Sequence, residues 1–325
     1  MGEKNKKVLF LRFSSLGDVI LANFYALKIK EKNPAWQLTW IVDSMYKEIV
    51  ISQPWVDDVI IWDRKKDGNK GFIKAIKEVR SRGFDILIDM HNTDRSSFFS
   101  FFSNIPQRFT DRNRIPFAHN VHSLDSLFDN TDNISDCPKY LYAPPATDRI
   151  RRLLLDATHK PVITAAIGAS YEKKRWPVNN WIDFCRMAVA SGYYINITGD
   201  GPEEEDNAHV IATSVGDKRL NNLAGELSVA ELVQVIDKSQ IVISGDTGAV
   251  HIARALGKET IVMFGPSSIN NVSYVDSLKN VFYCNCENKG CHNFKCSMPC
   301  METISPVMIY DRLEVLNKNI REDSV

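Results

Sequence analysis

The chain has no apolar run approaching the roughly 20 residues that cross a hydrocarbon core, so no membrane span is expected. It has no excess of either charge: 40 Lys and Arg stand against 40 Asp and Glu in 325 residues. The balance holds locally, with 22 basic against 19 acidic residues in 1–150 and 18 against 21 in the rest. Neither half is a charged tail, and no nucleic-acid partner is expected. No GxGxxG follows the first strand-like run, which argues against a dinucleotide fingerprint there. Nor is there a convincing Asp-x-Asp motif of the kind that holds a metal-bound nucleotide. The opening MGEKNKKVLFLRF has a short apolar run with no small-residue cleavage site behind it. It is expected to be a first strand rather than a signal peptide, and the protein to be cytoplasmic. The remainder is ordinary globular material, 44% apolar and 25% charged. That composition excludes a disordered, collagenous or coiled-coil chain, and the length suits two domains.

Short β-rich runs alternate with amphipathic stretches. Strands are expected at Val8–Phe13, Gln37–Val42, Asp58–Trp62 and Asp85–Met90, with helices after Gly17 and around Gly71–Ser81. Residues 91–118 read as polar and irregular, a helix is expected over Val121–Phe128, and 130–147 reads as a linker or a surface excursion. The alternation restarts with strands at Pro161–Ile167, Tyr193–Thr198, Ile241–Ser244 and Thr260–Phe264. Helices are expected over Asn180–Ser191, Glu203–Val215, Ser228–Lys238, Thr247–Leu256 and 306–318. This pattern predicts two doubly wound α/β domains with parallel sheets. Ligands of such folds bind outside the carboxyl ends of the strands.

Three loops carry chemistry. The first, Arg12-Phe13-Ser14-Ser15-Leu16-Gly17-Asp18, joins a strand to a helix. Asp18 at a helix start is favoured by the dipole, and it is equally placed to act as a general base. The second, Ser244-Gly245-Asp246-Thr247-Gly248-Ala249-Val250-His251, is rich in Gly and polar donors ahead of a helix. The amides at that start can hold an anion such as a pyrophosphate, and His251 lies one turn beyond Thr247 on the same side. The alternative is a capped helix with a satisfied histidine. The third, Lys173-Lys174-Arg175-Trp176-Pro177, is a basic loop after a strand. It suits neutralising a leaving diphosphate, although an isolated charge run is more often solvated surface.

In this order the loops resemble glycosyltransferase family 9, the ADP-heptose:lipopolysaccharide heptosyltransferases. FSSLGDVILA is similar to that family's N-terminal (S/T)SxGD loop, KRWPVNNW to its KxWP loop, and GDGPEEEDNA to its acidic helix start. GDTGAVHIARALGKETIVMFGPSS is similar to its DTGxxHxAxAL signature, the most specific of the four. The resemblance implies a GT-B fold of two Rossmann-like domains facing across a cleft. It implies an N-terminal acceptor domain over 1–147 and a nucleotide-sugar domain over 148–305. A closing segment 306–325 is expected to pack back on the first domain. The implied reaction is inverting transfer of a heptose or related sugar, with ADP-heptose the default donor, to a lipopolysaccharide inner-core or other glycan acceptor. Peripheral contact with the inner membrane follows from such an acceptor, and catalysis needs no cofactor.

By the same resemblance Asp18 would be the base and Lys174 would contact the donor phosphates. Asp246, Thr247, Gly248 and His251 would hold the nucleotide sugar. Glu204 would bind the ribose, with Glu203 and Glu205 as neighbouring registers. Family acceptors are acidic, so Arg64, Lys65, Arg95 and Arg114 are the acceptor candidates, although each taken singly reads more readily as solvated surface. Cys284, Cys286, Cys291, Cys296 and Cys300 crowd one stretch of a chain holding 7 cysteines. Some relatives bind iron through such a segment. The spacing is no standard paired CxxC zinc signature, and structural zinc or iron, reduced thiols and disulfides all stay open. The preferred ligand set is Cys286, Cys291, Cys296 and Cys300. Two rivals share the fold: a sugar-nucleotide epimerase, which needs no acceptor patch, and a non-catalytic metal-bearing scaffold, which would turn Asp18 or Lys174 away from the cleft.

Overall fold

The structure, a computed structural model, describes residues 5–110, 121–129, 132–154, 161–269, 280–286, 290–293 and 299–322; the side chains of Arg64, Lys65 and Arg321 lie outside that description. The chain forms two compact units, Met1–Pro144 and Pro145–Val325.

The first unit runs β1 (Lys7–Leu11), α1 (Leu16–Lys32), β2 (Gln37–Val42), α2 (Lys47–Ile51), β3 (Asp58–Ile61), α3 (Arg64–Arg82), β4 (Ile86–Asp89), α4 (Asp94–Ser103), β5 (Gln107–Phe109) and β6 (Val121–His122). Its strands form one sheet in the order β3-β2-β1-β4-β5-β6, all parallel. β1 and β4 are apolar throughout except for their ends because both their faces are covered, and Leu9, Leu11, Leu87 and Ile88 are fully buried. Phe13, Trp62, Phe72 and Phe99 close one side with edge-on ring contacts such as Phe13–Trp62 at 4.8 Å.

The second unit runs α5 (Asp148–Leu153), β7 (Val162–Ala166), α6 (Val178–Ala190), β8 (Tyr194–Thr198), α7 (Pro202–Val215), β9 (Leu220–Asn222), α8 (Val229–Lys238), β10 (Ile241–Gly245), α9 (Gly248–Ala255), β11 (Glu259–Phe264), β12 (Val281–Tyr283) and α10 (Pro306–Glu322). Its sheet order is β12-β11-β10-β7-β8-β9, again all parallel. Counted from its own first strand this is 3-2-1-4-5-6, the same as in the first unit and the order of a dinucleotide-binding Rossmann domain. In each sheet the strand order reverses between the first and fourth strands, the position where ligands of such folds bind. The closing helix α10 puts Ile309, Leu313 and Leu316 into the core of the second unit, beside Trp176, Trp181 and Phe184. Val307, Met308 and Val315 of the same helix remain exposed.

Three stretches differ from the sequence expectation. Residues 94–103 are the helix α4 and 107–109 the strand β5, where irregular chain was expected. Val121–His122 is a strand and Leu124–Leu127 a short 3-10 turn, not an α-helix; only Leu124 of that turn is buried, too little apolar surface to hold a longer helix. The stretch read as a linker carries Tyr140 and Leu141, both fully buried, and Gln53 is hydrogen-bonded both to and from the Tyr142 backbone. Among the described residues no helix is long and apolar enough to cross a membrane.

Candidate active site

In the first unit β1 and β4 flank the reversal, and their ends hold a charged knot. Arg12 follows β1. Its Nη1 donates to the Met90 carbonyl beyond β4 at 2.6 Å, and its Nη2 pairs with the Asp18 carboxylate. The Trp40 indole donates to the Arg12 carbonyl at 3.1 Å and fixes the strand end. Asp18 sits in the first turn of α1, and its Oδ2 accepts from Ser15 N at 3.3 Å and Ser15 Oγ at 2.8 Å. The two sequence alternatives for Asp18 thus coexist: it caps its helix and also faces outward, with 47% of its side chain exposed. Burial pushes its carboxyl up, but the Arg12 charge and the Ser15 hydrogen bonds together outweigh that and hold it below the ordinary value.

Asp89, the last residue of β4, is fully buried, and its Oδ1 accepts from the His91 and Asn92 amides at 2.9 and 3.1 Å. Burial raises its pKa to about 6, against the pull of those hydrogen bonds and of the Arg12 charge. The sequence reading took Asp85–Met90 as an apolar strand and gave Asp89 and Arg12 no role. The available signal was an acid ending an otherwise apolar run, ILID, beside the β1 loop in a parallel sheet. Of the acceptor candidates, Arg64 and Lys65 open α3, and Arg95 is exposed in the first turn of α4. Both helices start at the carboxyl edge of the sheet that carries Asp18. Arg114 lies outside the described residues.

In the second unit the reversal lies between β7 and β10. The loop after β7 brings Lys174 to Asp246 beyond β10, Nζ to Oδ2 at 2.7 Å, with both side chains mostly covered. This pair was not anticipated. Close packing of the loops requires glycine: a Cβ on Gly245 would lie 2.9 Å from the Lys174 carbonyl oxygen. Thr247 is the extended residue ahead of α9, and its Oγ1 shares a 2.9 Å hydrogen bond with Ser244 Oγ. Gly248 opens the helix, and His251 lies within it, half-buried.

Glu204 is buried beside Gly168, Gly199 and Gly201; a Cβ on Gly199 would stand 2.9 Å from its Cβ. Among the three consecutive acids Glu203 is exposed and Glu205 packs on Gly225, so Glu204 alone tucks against the ends of β7 and β8. Arg175 clamps it at 3.0 Å, pairs with Glu203 at 2.5 Å and donates to the Ala169 carbonyl at 3.0 Å. The sequence reading saw Arg175 only as part of a basic run. Trp176 anchors the loop through its indole hydrogen bond to the Ile304 carbonyl at 2.8 Å.

In the cysteine stretch Cys284, left out of the preferred set, is the most buried thiol. Burial first, then its neighbours Cys300, Cys286 and Cys291, push it up to about 11. Cys296 lies outside the described residues, and among those described no group of three or more His, Cys, Asp or Glu could hold a metal ion.

Two reversal points with polar loops, one of them ending in a DTG turn at a helix start, lie where ligands of doubly wound sheets bind. Residues 72–302 match the family described as Glycosyltransferase family 9 (heptosyltransferase). The chain belongs to glycosyltransferase family 9. It is 25% identical over 298 residues to the lipopolysaccharide core heptosyltransferase OpsX of Haemophilus influenzae, covering 86% of this chain and 84% of that one. Its fold matches a family 9 glycosyl transferase from Veillonella parvula with a TM-score of 0.82, at 18% identity over 98% of this chain and 99% of that one. It also matches the Escherichia coli heptosyltransferase WaaC, solved with ADP-2-deoxy-2-fluoro heptose, with a TM-score of 0.68 at 17% identity over 95% and 99%. These matches make the fold GT-B and the family 9 chain a glycosyltransferase, which sets aside the epimerase and the scaffold.

Proposed function

We propose that this family 9 enzyme transfers heptose from ADP-heptose, with inversion, to an inner-core sugar of a lipopolysaccharide precursor. The observation that carries the reading is the division of labour between the two reversal points. One offers an exposed carboxylate held ionised by Arg12. The other offers an ammonium and a helix N-terminus, at Lys174 and Thr247-Gly248. The sugar and nucleotide follow the heptosyltransferase relatives and the ADP-2-deoxy-2-fluoro heptose of the Escherichia coli structure.

The step is a single displacement. The acceptor oxygen forms a bond to the anomeric carbon while the bond from that carbon to the diphosphate oxygen breaks, so configuration inverts. Asp18 accepts the proton of the acceptor hydroxyl. The electron pair leaves with ADP, whose charge is met by Lys174 and the first amides of α9. Asp246 is negative and does not face the phosphates; it keeps the Lys174 ammonium in place and accepts from sugar hydroxyls. Glu204 accepts from the ribose, and Arg64, Lys65, Arg95 and Arg114 read the acidic acceptor. The test is incubation of the pure protein with a panel of sugar nucleotides and a lipopolysaccharide precursor that lacks the added sugar. ADP release together with a mass increase of one heptose is expected. Transfer from another donor, or donor turnover with no acceptor gain, would reject the reading.

A further inference from the structure

The helix α4 is built inside out. Its inner face is Ser96, Ser97, Ser100 and Ser103, each under 5% exposed, with Phe99 as the one large apolar anchor. Its outer face carries Phe98, Phe101 and Phe102, which are 53%, 39% and 44% exposed. Their spacing of three and four residues places them on one stripe. The helix itself is secure, because Thr93 and Ser96 form a capping box and Asn104 closes it in the left-handed region. Phe101 and Phe102 pack edge-on at 5.3 Å, yet all three rings keep much of their surface in solvent, and contiguous exposed apolar surface of this kind marks an interaction site.

The neighbouring helix indicates the kind of partner. α3 touches α4 through the Phe72–Phe99 rings at 5.8 Å and through Arg80 Nε, which donates to the Phe102 carbonyl at 2.7 Å. Ile73, Lys77 and Arg80 share the flank of α3 that faces α4, and Ile73 is 56% exposed. Lys66, Lys70, Lys74 and Lys77 are all exposed. Residues 64–82 hold eight Lys and Arg against two acids in a chain whose total charge is zero. A phenylalanine stripe bordered by lysines is the chemistry that binds an anionic bilayer: rings enter the interfacial layer and ammonium groups meet lipid phosphates.

We infer that the outer faces of α3 and α4 form a docking surface for an anionic membrane leaflet. Both helices start at the carboxyl edge of the sheet, where Asp18 lies. The helices run from that edge toward the other end of the sheet, where Arg80 meets Phe102. A bilayer held by their outer faces therefore flanks the unit that carries Asp18, which suits an acceptor whose lipid stays embedded. The inference deepens the proposed function, but the surface can be tested without any substrate.

The experiment is co-sedimentation of the full chain with vesicles of phosphatidylcholine alone or mixed with phosphatidylglycerol, at low and high salt. Binding to the anionic vesicles, weakened by salt, is expected. The variant Phe98→Ser/Phe101→Ser/Phe102→Ser should bind them at least about tenfold more weakly. The charge variant Lys70→Glu/Lys74→Glu/Lys77→Glu should lose at least as much, since each lysine near such a surface contributes roughly fivefold. Circular dichroism melts identify a folding failure in the phenylalanine variant, and the lysine variant changes only exposed groups. Calorimetry with ADP should match the wild type in both; its failure would count against the transferase reading and not against the surface. No binding of the wild type to anionic vesicles, or equal binding by both variants, overturns the inference. So does sedimentation showing a wild-type oligomer that the phenylalanine substitutions reduce to monomer, since the face then belongs to a second copy of the chain.

Discussion

The two units share one topology, and each pairs a cation with a carboxylate at its reversal point, but they begin the helices there differently. In the first, the helix after the first strand begins with its own carboxylate: Asp18 accepts from Ser15 at the start of α1 and is paired with Arg12. That N-terminus is already neutralised, and a phosphate brought there would meet a like charge. In the second, the hydroxyl of Thr247 is turned to Ser244, so the first amides of α9 face the loop without a side-chain cap. The nearby ammonium of Lys174 is paired with Asp246 at 2.7 Å, so the side-chain charges balance there as they do for Arg12 and Asp18. Sheet order places both loops at a reversal point. A carboxylate occupies the start of α1 after the first strand of one unit, while the start of α9 after the fourth strand of the other has no side-chain cap. The proposed roles rest on that difference.

The largest expected effect tests the proton side. Asp18→Asn keeps the hydrogen-bonding shape but removes the base, so kcat should fall about 10²–10⁴-fold with ADP affinity unchanged. Near-normal turnover in the folded variant would break the contrast. The next tests the anion side. Lys174→Ala should weaken ADP binding by roughly 1.5–3 kcal/mol, the scale of a charge-assisted hydrogen bond. Asp246→Ala should weaken the intact nucleotide sugar more than ADP. Equal losses for both ligands in calorimetry would reduce Asp246 to a loop-shaping role.

Arg12 sharpens the first half of the comparison. Its charge is one of the contributions that hold Asp18 below the ordinary carboxylate value. Arg12→Gln should therefore raise that pKa and move the acid limb of the kcat/KM profile to higher pH, while Arg12→Lys restores most of it. A profile that keeps its position as activity falls would show that Arg12 only supports the strand end.

Much of this was legible in the sequence. The strands β1, β2, β4, β7, β8, β10 and β11 announce themselves as apolar runs followed by polar loops, and the DTG turn is a local pattern. The pairing of Lys174 with Asp246 was not legible, because the two lie 72 residues apart and meet only through the β7–β10 neighbour relation. α4 was missed for a different reason: hydrophobic periodicity assumes apolar residues inside, and this helix turns serine in and phenylalanine out. Asp89 was hidden because one acid at the end of an apolar strand alters neither its period nor its composition.

Asp89 supports the smallest prediction. It is fully buried at the reversal point, with a pKa of about 6 against an ordinary value of 3.8. The folded protein therefore binds this proton more tightly than the unfolded chain does. Stability from this group is fully present below about pH 3.8 and is lost as pH rises through about 6. Between pH 5 and pH 7.5 the wild type should lose on the order of 1–2 kcal/mol through it. Asp89→Asn can still accept from the His91 and Asn92 amides but cannot ionise. Urea unfolding at the two pH values should thus show a smaller pH-dependent loss in the variant, by that amount. Arg12 lies close enough to favour the ionised form, so the double variant Arg12→Gln/Asp89→Asn should show the same flattened dependence. An unchanged slope in Asp89→Asn would mean that Asp89 does not titrate between these pH values, its hydrogen bonds and the Arg12 charge having offset its burial.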